Sequence, residues 1–214
     1  MATTSGALRA DSRLTREAIL EAAITLFATH GYGGTSLRAI AELARVNIAA
    51  ANYHFGSKEN LFKAAFERCV APINARRLAR LQALGQQAKP PTSEAIVRAF
   101  IDIELAQNPQ LAMMMARVFA ESQSLVGPLL QQVFGALAQR YIAALELAQP
   151  DLPRPELEWR FHFLIGAMLQ MIRFDRPLEF PGAQATKLPP AEQVEQLVRF
   201  VVAGLNQNSA GEKT

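Results

Sequence analysis

The stretch NIAAANYHFGSKENLF, residues 47–62, combines small apolar residues with side chains that can bind nucleic acid. The three alanines at 49–51 would let a helix approach DNA closely and contact thymine methyl groups. The surrounding side chains can donate or accept hydrogen bonds at base edges or phosphates: Asn47, Asn52, Tyr53, His54 and Lys58. The spacing therefore predicts a helix that fits a DNA groove, followed by a cluster that holds the DNA backbone.

No motif in the chain points to catalysis. It has no glycine-rich phosphate loop, no G-x-S-x-G and no H-E-x-x-H. The histidines at 30, 54 and 162 lack metal-ligand spacing, and Cys69 falls on an apolar helix face. We expect no catalytic residue, no metal and no cofactor, and a helical enzyme or a scaffold without DNA binding is the alternative class.

Charge is distributed unevenly along the 214 residues. Residues 1–80 hold 11 Lys/Arg and 6 Asp/Glu, whereas residues 81–214 hold 11 and 13. A basic first third suggests that this end meets a polyanion. One cysteine, a polar N-terminus and the lack of a long apolar run predict a cytoplasmic protein with no membrane segment.

Apolar residues recur with helical spacing through the first third of the chain. Residues 15–29 form one amphipathic segment that Thr15 can cap and Gly31 can end. A second short helix follows Thr35 or Ser36, and Ser57 begins a longer helix that extends to about residue 84. Three short helices, the last two joined by a tight turn, predict a helix-turn-helix.

The remainder of the chain is also predicted to be helical. GQQAKPP, residues 85–91, is a linker candidate, and helices are expected at about 92–107, 110–121, 126–148, 155–174 and 191–205. Residues 175–190 hold four of the twelve prolines and should form a loop. No alternating strand pattern is present, so the fold class is all-α.

Residues 15–62 resemble the DNA-binding domain of the TetR family of transcriptional repressors. The matching motifs, in register over about 48 residues, are Leu26-Phe27, Gly31-Tyr32, Thr35-Ser36, Ile40-Ala41, His54-Phe55, Ser57-Lys58-Glu59 and Leu61. Two positions depart from the family pattern: Arg45 stands where the turn usually has glycine, and Asn52 where tyrosine is common. The stretch around Asn52 also resembles a PsrA-like subgroup that responds to fatty acids.

The resemblance implies a domain plan and a set of DNA contacts. The domain plan comprises a flexible arm (1–14), a helix-turn-helix domain (15–62), an effector-binding and dimerisation domain (92–205) and a flexible tail (206–214). The DNA-binding candidates are Thr35, Ser36, Arg38, Arg45, Asn47, Ala49, Ala50, Asn52, Tyr53, His54 and Lys58. Lys58 is expected to bind a phosphate.

The resemblance also implies a homodimer that leaves a palindromic double-stranded DNA operator when a small hydrophobic effector binds. A fatty acid or acyl-CoA is the first effector class, and a multidrug-type ligand is the alternative. Effector candidates are Phe100, Glu104, Met114, Arg117, Val118, Phe134, Tyr141, Phe163 and Met168. Dimerisation candidates are Trp159, Phe163, Met171, Leu197 and Val201.

Overall fold

The computed structural model describes residues 3–101, 108–173 and 188–207. Among these residues the regular secondary-structure elements are all helices, which turns and loops connect. In chain order the helices are α1 (Thr3–His30), α2 (Leu37–Leu43), α3 (Ile48–Phe55), α4 (Lys58–Gly85), α5 (Ser93–Phe100), α6 (Pro109–Ala120), α7 (Gln123–Ala148), α8 (Arg154–Arg173) and α9 (Pro190–Asn206). The predicted all-α class is confirmed.

Local chemistry sets several helix ends. The side chains of Ser36, Asn47 and Thr92 each accept a hydrogen bond from a backbone N–H in the first turn of the following helix. Gly31 and Gly56 follow α1 and α3 with φ of +71° and +74°, a left-handed backbone that glycine adopts without a Cβ clash.

The structure differs from the sequence prediction at the N-terminus. The helix begins at Thr3 rather than Thr15, so residues 3–14, expected to be a flexible arm, continue α1. No proline interrupts this segment, and nothing in it requires a break before Gly31. Glu104, most of the predicted loop at 175–190 and residues 208–214 of the predicted tail lie outside the described residues.

The described chain divides into two compact units. The first contains Met1–Ala71 and Met113–Leu129, and the second contains Pro72–Ala112 and Leu130–Thr214. The first unit thus includes residues 113–129, which the sequence places in the effector domain. Helices α4, α6 and α7 each contribute residues to both units.

The core of the first unit is built on aromatic rings. The Phe27 and Phe62 rings meet edge to face with centroids 5.0 Å apart, and the Tyr32 ring lies 5.2 Å from Phe62. Ile19 and Ile40 are fully buried around them. Burial of such side chains contributes about 1.5–3 kcal/mol each, which fixes α1, α2 and the start of α4 as the platform on which α3 rests.

The second unit has its own aromatic core. The Phe100 ring packs edge to face against both Tyr141 and Phe161, with centroids 5.0 Å apart in each case. The Arg77 guanidinium is 3% exposed, stacks 4.1 Å from the Phe100 ring centre and donates to the Phe100 carbonyl at 2.7 Å. Tyr141 Oη donates to the Arg77 carbonyl at 2.8 Å, and burial raises the pKa of this phenol.

Candidate nucleic-acid interface

The outer face of α3 carries the side chains expected to meet DNA. Ala49, Asn52 and Tyr53 are exposed, and Tyr53 is 84% exposed. Ala51 and Phe55, four residues apart, are buried and hold the opposite face of α3 to the core. Ala51 therefore supports the helix from within and cannot belong to the groove-facing surface expected from its sequence.

Two further side chains on this surface cap helices. Asn47 Oδ1 accepts from the Ala49 N–H at 2.8 Å, and Ser36 Oγ accepts from the Ala39 N–H at 3.1 Å. Both residues are exposed. The Asn47 amide group and the Ser36 hydroxyl can still donate to a phosphate. Ala50 and His54, in contrast, are half-buried at the edge of the surface.

Thr35 is corrected from a DNA contact to an internal one. It is 4% exposed, and its hydroxyl lies 2.8 Å from the Gly31 carbonyl and 3.2 Å from the Leu26 carbonyl. A hydroxyl that is buried and bonded in this way cannot reach a phosphate without unfolding the turn. Thr35 instead closes the α1–α2 turn.

Arg45 occupies the turn between α2 and α3 with a backbone that favours glycine. Its φ is +57°. The Val46 N–H donates to the Ala41 carbonyl at 3.0 Å and the Arg45 N–H to the Glu42 carbonyl at 3.1 Å, a Schellman motif with arginine at its left-handed position. This conformation costs about 1–2 kcal/mol for a residue with a Cβ atom. The turn thus has the left-handed conformation that glycine would favour, and it carries an exposed cation before α3. Arg38, also exposed, forms an ion pair with Glu42 at 3.0 Å.

Lys58 uses two of its three ammonium donors inside the fold. Its ammonium donates to the Tyr32 carbonyl at 3.0 Å and to the Thr35 carbonyl at 3.1 Å, and it lies 4.1 Å from the Tyr32 ring centre. These contacts direct the charge into the α1–α2 turn. The sequence placed Lys58 correctly in the first turn of α4 but could not show that its donors are used internally.

The α1–α2 turn also forms hydrogen bonds with Arg117 in α6 and with Glu121, the residue that follows α6. Arg117 Nη2 donates to the Thr29 carbonyl at 2.9 Å, and Glu121 Oε1 accepts from the Tyr32 N–H at 3.0 Å. A Cβ at Gly31 would lie 3.3 Å from that same Glu121 oxygen. Arg117, predicted to bind effector, is instead an exposed residue whose guanidinium binds the backbone next to the α1–α2 turn.

The effector candidates do not form one group. Phe100, Tyr141 and Met168 belong to the core of the second unit, where the Arg77 guanidinium lies 3.3 Å from the Met168 sulfur. Phe134 is half-buried in the same unit. Met114 and Val118 are fully buried in the first unit. Phe163 is 63% exposed on α8 and is therefore excluded from an internal pocket.

The dimerisation candidates also separate. Trp159 and Phe163 are exposed on α8, with ring centroids 5.9 Å apart. Leu197 and Val201 are buried within their own unit, because they form the inner stripe of α9. They are corrected from interface residues to core residues. Met171 is half-buried near the end of α8.

Several residues of these surfaces escaped the sequence prediction. Ile48, 44% exposed at the start of α3, adds an apolar group beside Asn47. Phe200 is 69% exposed on α9. It lies outside the apolar stripe of that helix, and an aromatic residue at such a position is the sequence signal that could have marked it as a surface contact. Arg77 and Glu121 lie within ordinary helical sequence, and no local pattern marks them.

A groove of about 330 Å³ lies between α8 and the C-terminal half of α9. Its lining residues are Arg160, Phe163, Leu164, Phe200, Val201, Ala203, Gly204, Leu205 and Gln207. Arg160 Nη1 donates to the carbonyls of Gly204 and Leu205 at the end of α9. The groove shares only Phe163 with the predicted effector set.

Cys69 is half-buried in α4, and burial, together with the nearby Glu21 carboxylate, raises the pKa of its thiol to about 11. A thiol with so high a pKa is a poor nucleophile at neutral pH. Among the described residues no group of His, Cys, Asp or Glu could hold a metal ion. None of the helices described is long and apolar enough to cross a membrane.

Two family models match the chain. That of bacterial regulatory proteins of the tetR family matches residues 19–65, and that of tetracyclin repressor-like C-terminal domains matches residues 94–204, just over half of the chain. The N-terminal match covers the interface described above.

Individual proteins agree with these models. The HTH-type transcriptional regulatory protein RaaS of Mycobacterium tuberculosis is 47% identical over 64 residues, and the repressor NicS of Pseudomonas putida is 40% identical over 60 residues. These matches span 30% and 28%, respectively, of both this chain and the relative. The structure of the fatty acid degradation regulator FadR from Bacillus halodurans superposes with a TM-score of 0.61 at 16% identity, covering 90% of this chain and 97% of that one.

The internal role of Lys58 gives a testable prediction. Lys58→Met should lower the free energy of unfolding by about 1–3 kcal/mol, because two carbonyls lose a charged donor. Chemical denaturation measures this. Lys63→Met, on the same helix, removes an ion pair with Glu59 that is largely open to water and should cost less than about 1 kcal/mol.

Salt titrations of DNA binding separate the two roles of Lys58. The folded Lys58→Met variant should keep the wild-type salt dependence. If the Lys58→Met variant keeps the wild-type stability but shows a shallower salt dependence, Lys58 binds a DNA phosphate, as the sequence predicts.

Proposed function

The chain belongs to the TetR family of DNA-binding transcriptional regulators, and we propose that it is a repressor released from a palindromic operator by a small apolar effector. The exposed outer face of α3 carries this proposal. Ala49, Asn52 and Tyr53 lie on one side of a helix whose other side is packed into a helix-turn-helix core. Such a face has the shape and chemistry for the major groove.

We assign the individual DNA contacts by chemistry. Asn52 can make a bidentate hydrogen bond to adenine, and Ile48 and Ala49 can contact thymine methyl groups. Ser36, Asn47 and Tyr53 offer neutral donors for phosphates. Arg38, Arg45 and His54 border the same surface and supply charged or polar contacts.

Asn52 distinguishes base reading from backbone binding. The wild-type chain should bind duplex DNA with an affinity that falls steeply with salt. Asn52→Ala should lose discrimination at one base pair, worth about 1–3 kcal/mol, while non-specific binding stays unchanged. Binding selection on randomised duplexes followed by fluorescence anisotropy measures both quantities.

The control for Asn52 is Gln131→Ala, which removes an exposed side-chain amide from α7. It should bind like the wild type. Equal weakening of all sequences by Asn52→Ala would assign Asn52 to the phosphates. Failure of the wild-type protein to bind any duplex at low salt would contradict the regulator.

The effector is proposed to occupy the apolar interior of the second unit, and a fatty acid or acyl-CoA is the first class. Phe100, Tyr141 and Met168 supply apolar and adaptable surface there. The Arg77 guanidinium donates to the Met168 sulfur, a weak acceptor that a carboxylate or carbonyl oxygen could replace. A multidrug-type ligand remains the alternative, since the rings would also suit an apolar cation.

Native mass spectrometry of protein purified from its expression host tests the effector class. A retained fatty acid or acyl-CoA, lost in the Arg77→Met variant, is the expected result. A retained lipophilic cation would favour the multidrug-type alternative. A fatty acid retained equally by both proteins would contradict the role of Arg77.

Homodimerisation is proposed to use the outer faces of α8 and α9. Trp159, Phe163 and Phe200 are exposed aromatic residues on these helices, and such residues are enriched at protein interfaces. A Cβ added at Gly166 or Gly204 would meet nothing within 4 Å in the single chain. Glycine inside a helix costs up to about 1 kcal/mol relative to alanine, so its use here fits a closely packed partner helix.

The dimer gives a further prediction. Phe200→Glu should produce monomers at micromolar concentration in sedimentation velocity, because a carboxylate would be buried without a partner at the interface. Leu147→Glu is the matched control: Leu147 is an exposed apolar residue of α7, which is not one of the proposed interface helices, and its variant should remain dimeric. A wild-type monomer, or a dimeric Phe200→Glu variant, would contradict the assignment.

A further inference from the structure

Asn74, a half-buried residue of α4, has a side-chain amide of which only one half is hydrogen-bonded. Its Nδ2 donates to the Val133 carbonyl of α7 at 3.0 Å, and this bond fixes the orientation of the amide. Its Oδ1 is buried and accepts no hydrogen bond from any of the described residues. A buried acceptor without a donor is costly and uncommon in folded proteins. This oxygen therefore calls for a donor that the described residues do not supply.

The free oxygen lies in the second unit, which contains the proposed effector site. Asn74 and Arg77 are three residues apart on α4, so they occupy neighbouring positions of one helix face, with Cβ atoms about 5–6 Å apart. That face packs against α7, where Val133 contacts Asn74 and Tyr141 Oη donates to a backbone carbonyl of α4. Leu137, between them on α7, is buried. A donor and an acceptor of α4 thus share one face in otherwise apolar surroundings.

We propose that Asn74 Oδ1 is a specificity-determining acceptor of the effector site, which selects an acyl ligand with a hydroxyl group close to its carboxylate. The inference rests on the proposed function, in which the Arg77 guanidinium binds the carboxylate or carbonyl end of the effector. It names a second polar group of the ligand and the residue that recognises it. An ionised fatty acid without a hydroxyl has acceptors only and would leave Oδ1 without a donor.

A hydroxyl on the second or third carbon of the acid suits the spacing of the two residues. Neighbouring side chains on one helix face can reach two groups of a ligand that are only a few bonds apart. A hydroxyl is also the smallest donor for this place, because an amide adds further polar atoms that each need a partner in apolar surroundings. The remaining hydrocarbon chain can contact Phe100 and Met168. The ligand class is therefore a hydroxylated fatty acid.

Isothermal titration calorimetry of the full-length protein, freed of co-purified lipid, tests the inference. The probes are 3-hydroxydodecanoate and dodecanoate, each below its micelle-forming concentration. The wild type should bind the hydroxylated acid about fivefold more tightly, which is the gain expected from one hydrogen bond to a buried neutral acceptor. Asn74→Leu, a change of similar size, should bind both acids equally because leucine has no acceptor. Its affinity for dodecanoate should not fall, since that acid does not use the oxygen.

Two further variants complete the comparison. Asn74→Ala removes the acceptor without adding bulk at a branched side chain and should also lose the preference, so a packing defect of the leucine variant leaves the test intact. Asn60→Leu replaces an exposed asparagine of the same helix in the first unit and should keep the wild-type preference.

The ratio of the two affinities separates the outcomes. Equal binding of both acids by the wild type would leave water as the partner of Asn74 and would overturn the inference while the proposed function stands. A preference that persists in both Asn74 variants would assign the hydroxyl to another residue and overturn the role of Asn74. Wild-type protein that binds neither acid would contradict the fatty-acid effector of the proposed function and, with it, this inference.

Discussion

The turn between α1 and α2 is the constraint on which the DNA-binding unit depends. A left-handed glycine lets the chain reverse there, but it leaves backbone N–H and carbonyl groups between residues 29 and 35 without helical partners. Lys58 in α4, Arg117 in α6 and Glu121, the residue that follows α6, satisfy these groups, and Thr35 does so from within the turn. Because α2 leaves this turn directly and α3 packs on α2, the position of the groove-facing helix follows from these bonds.

Under the proposed function, the hydrogen bonds around the α1–α2 turn would couple effector binding to DNA binding. Helix α6 contains residues of both units, and Arg117 in its last turn donates to the Thr29 carbonyl next to the α1–α2 turn. Under the proposed function, an effector that favours one position of α6 must bind with a different affinity when DNA holds the turn. Thermodynamic linkage makes that effect reciprocal, and a tenfold change in either affinity requires about 1.4 kcal/mol.

The sequence predicted the helices and several exposed residues of α3 well, because periodicity and capping residues act locally. Asn47 and Ser36 are recognisable as caps from their types alone. Lys58 and Arg117 were assigned to ligands because both are cations near an expected site. Their actual partners are backbone carbonyls distant in the chain, and sequence carries no local signal for such distances.

The burial of Leu197 and Val201 has a related cause. Under the proposed dimer, one face of α9 packs on its own unit and another on the second chain, and the sequence prediction took the more apolar face as the interface. The inner stripe of α9 is the more apolar face and was therefore predicted as the interface, although Phe200 lies on the exposed face. Arg45 illustrates the opposite case. An arginine side chain disfavours a left-handed backbone, so the residue type argued against this turn. The surrounding hydrogen bonds nevertheless hold Arg45 in that conformation.

The half-buried Cys69 offers a consequence of a different kind. With a pKa of about 11, its thiol is ionised at neutral pH in only about one molecule in ten thousand, so alkylating reagents should react slowly with the folded chain. Separation of α4 from its neighbours would restore an ordinary thiol. The labelling rate of the single cysteine should therefore rise when α4 separates from its neighbours, so it reports on the packing of a helix that contributes residues to both units.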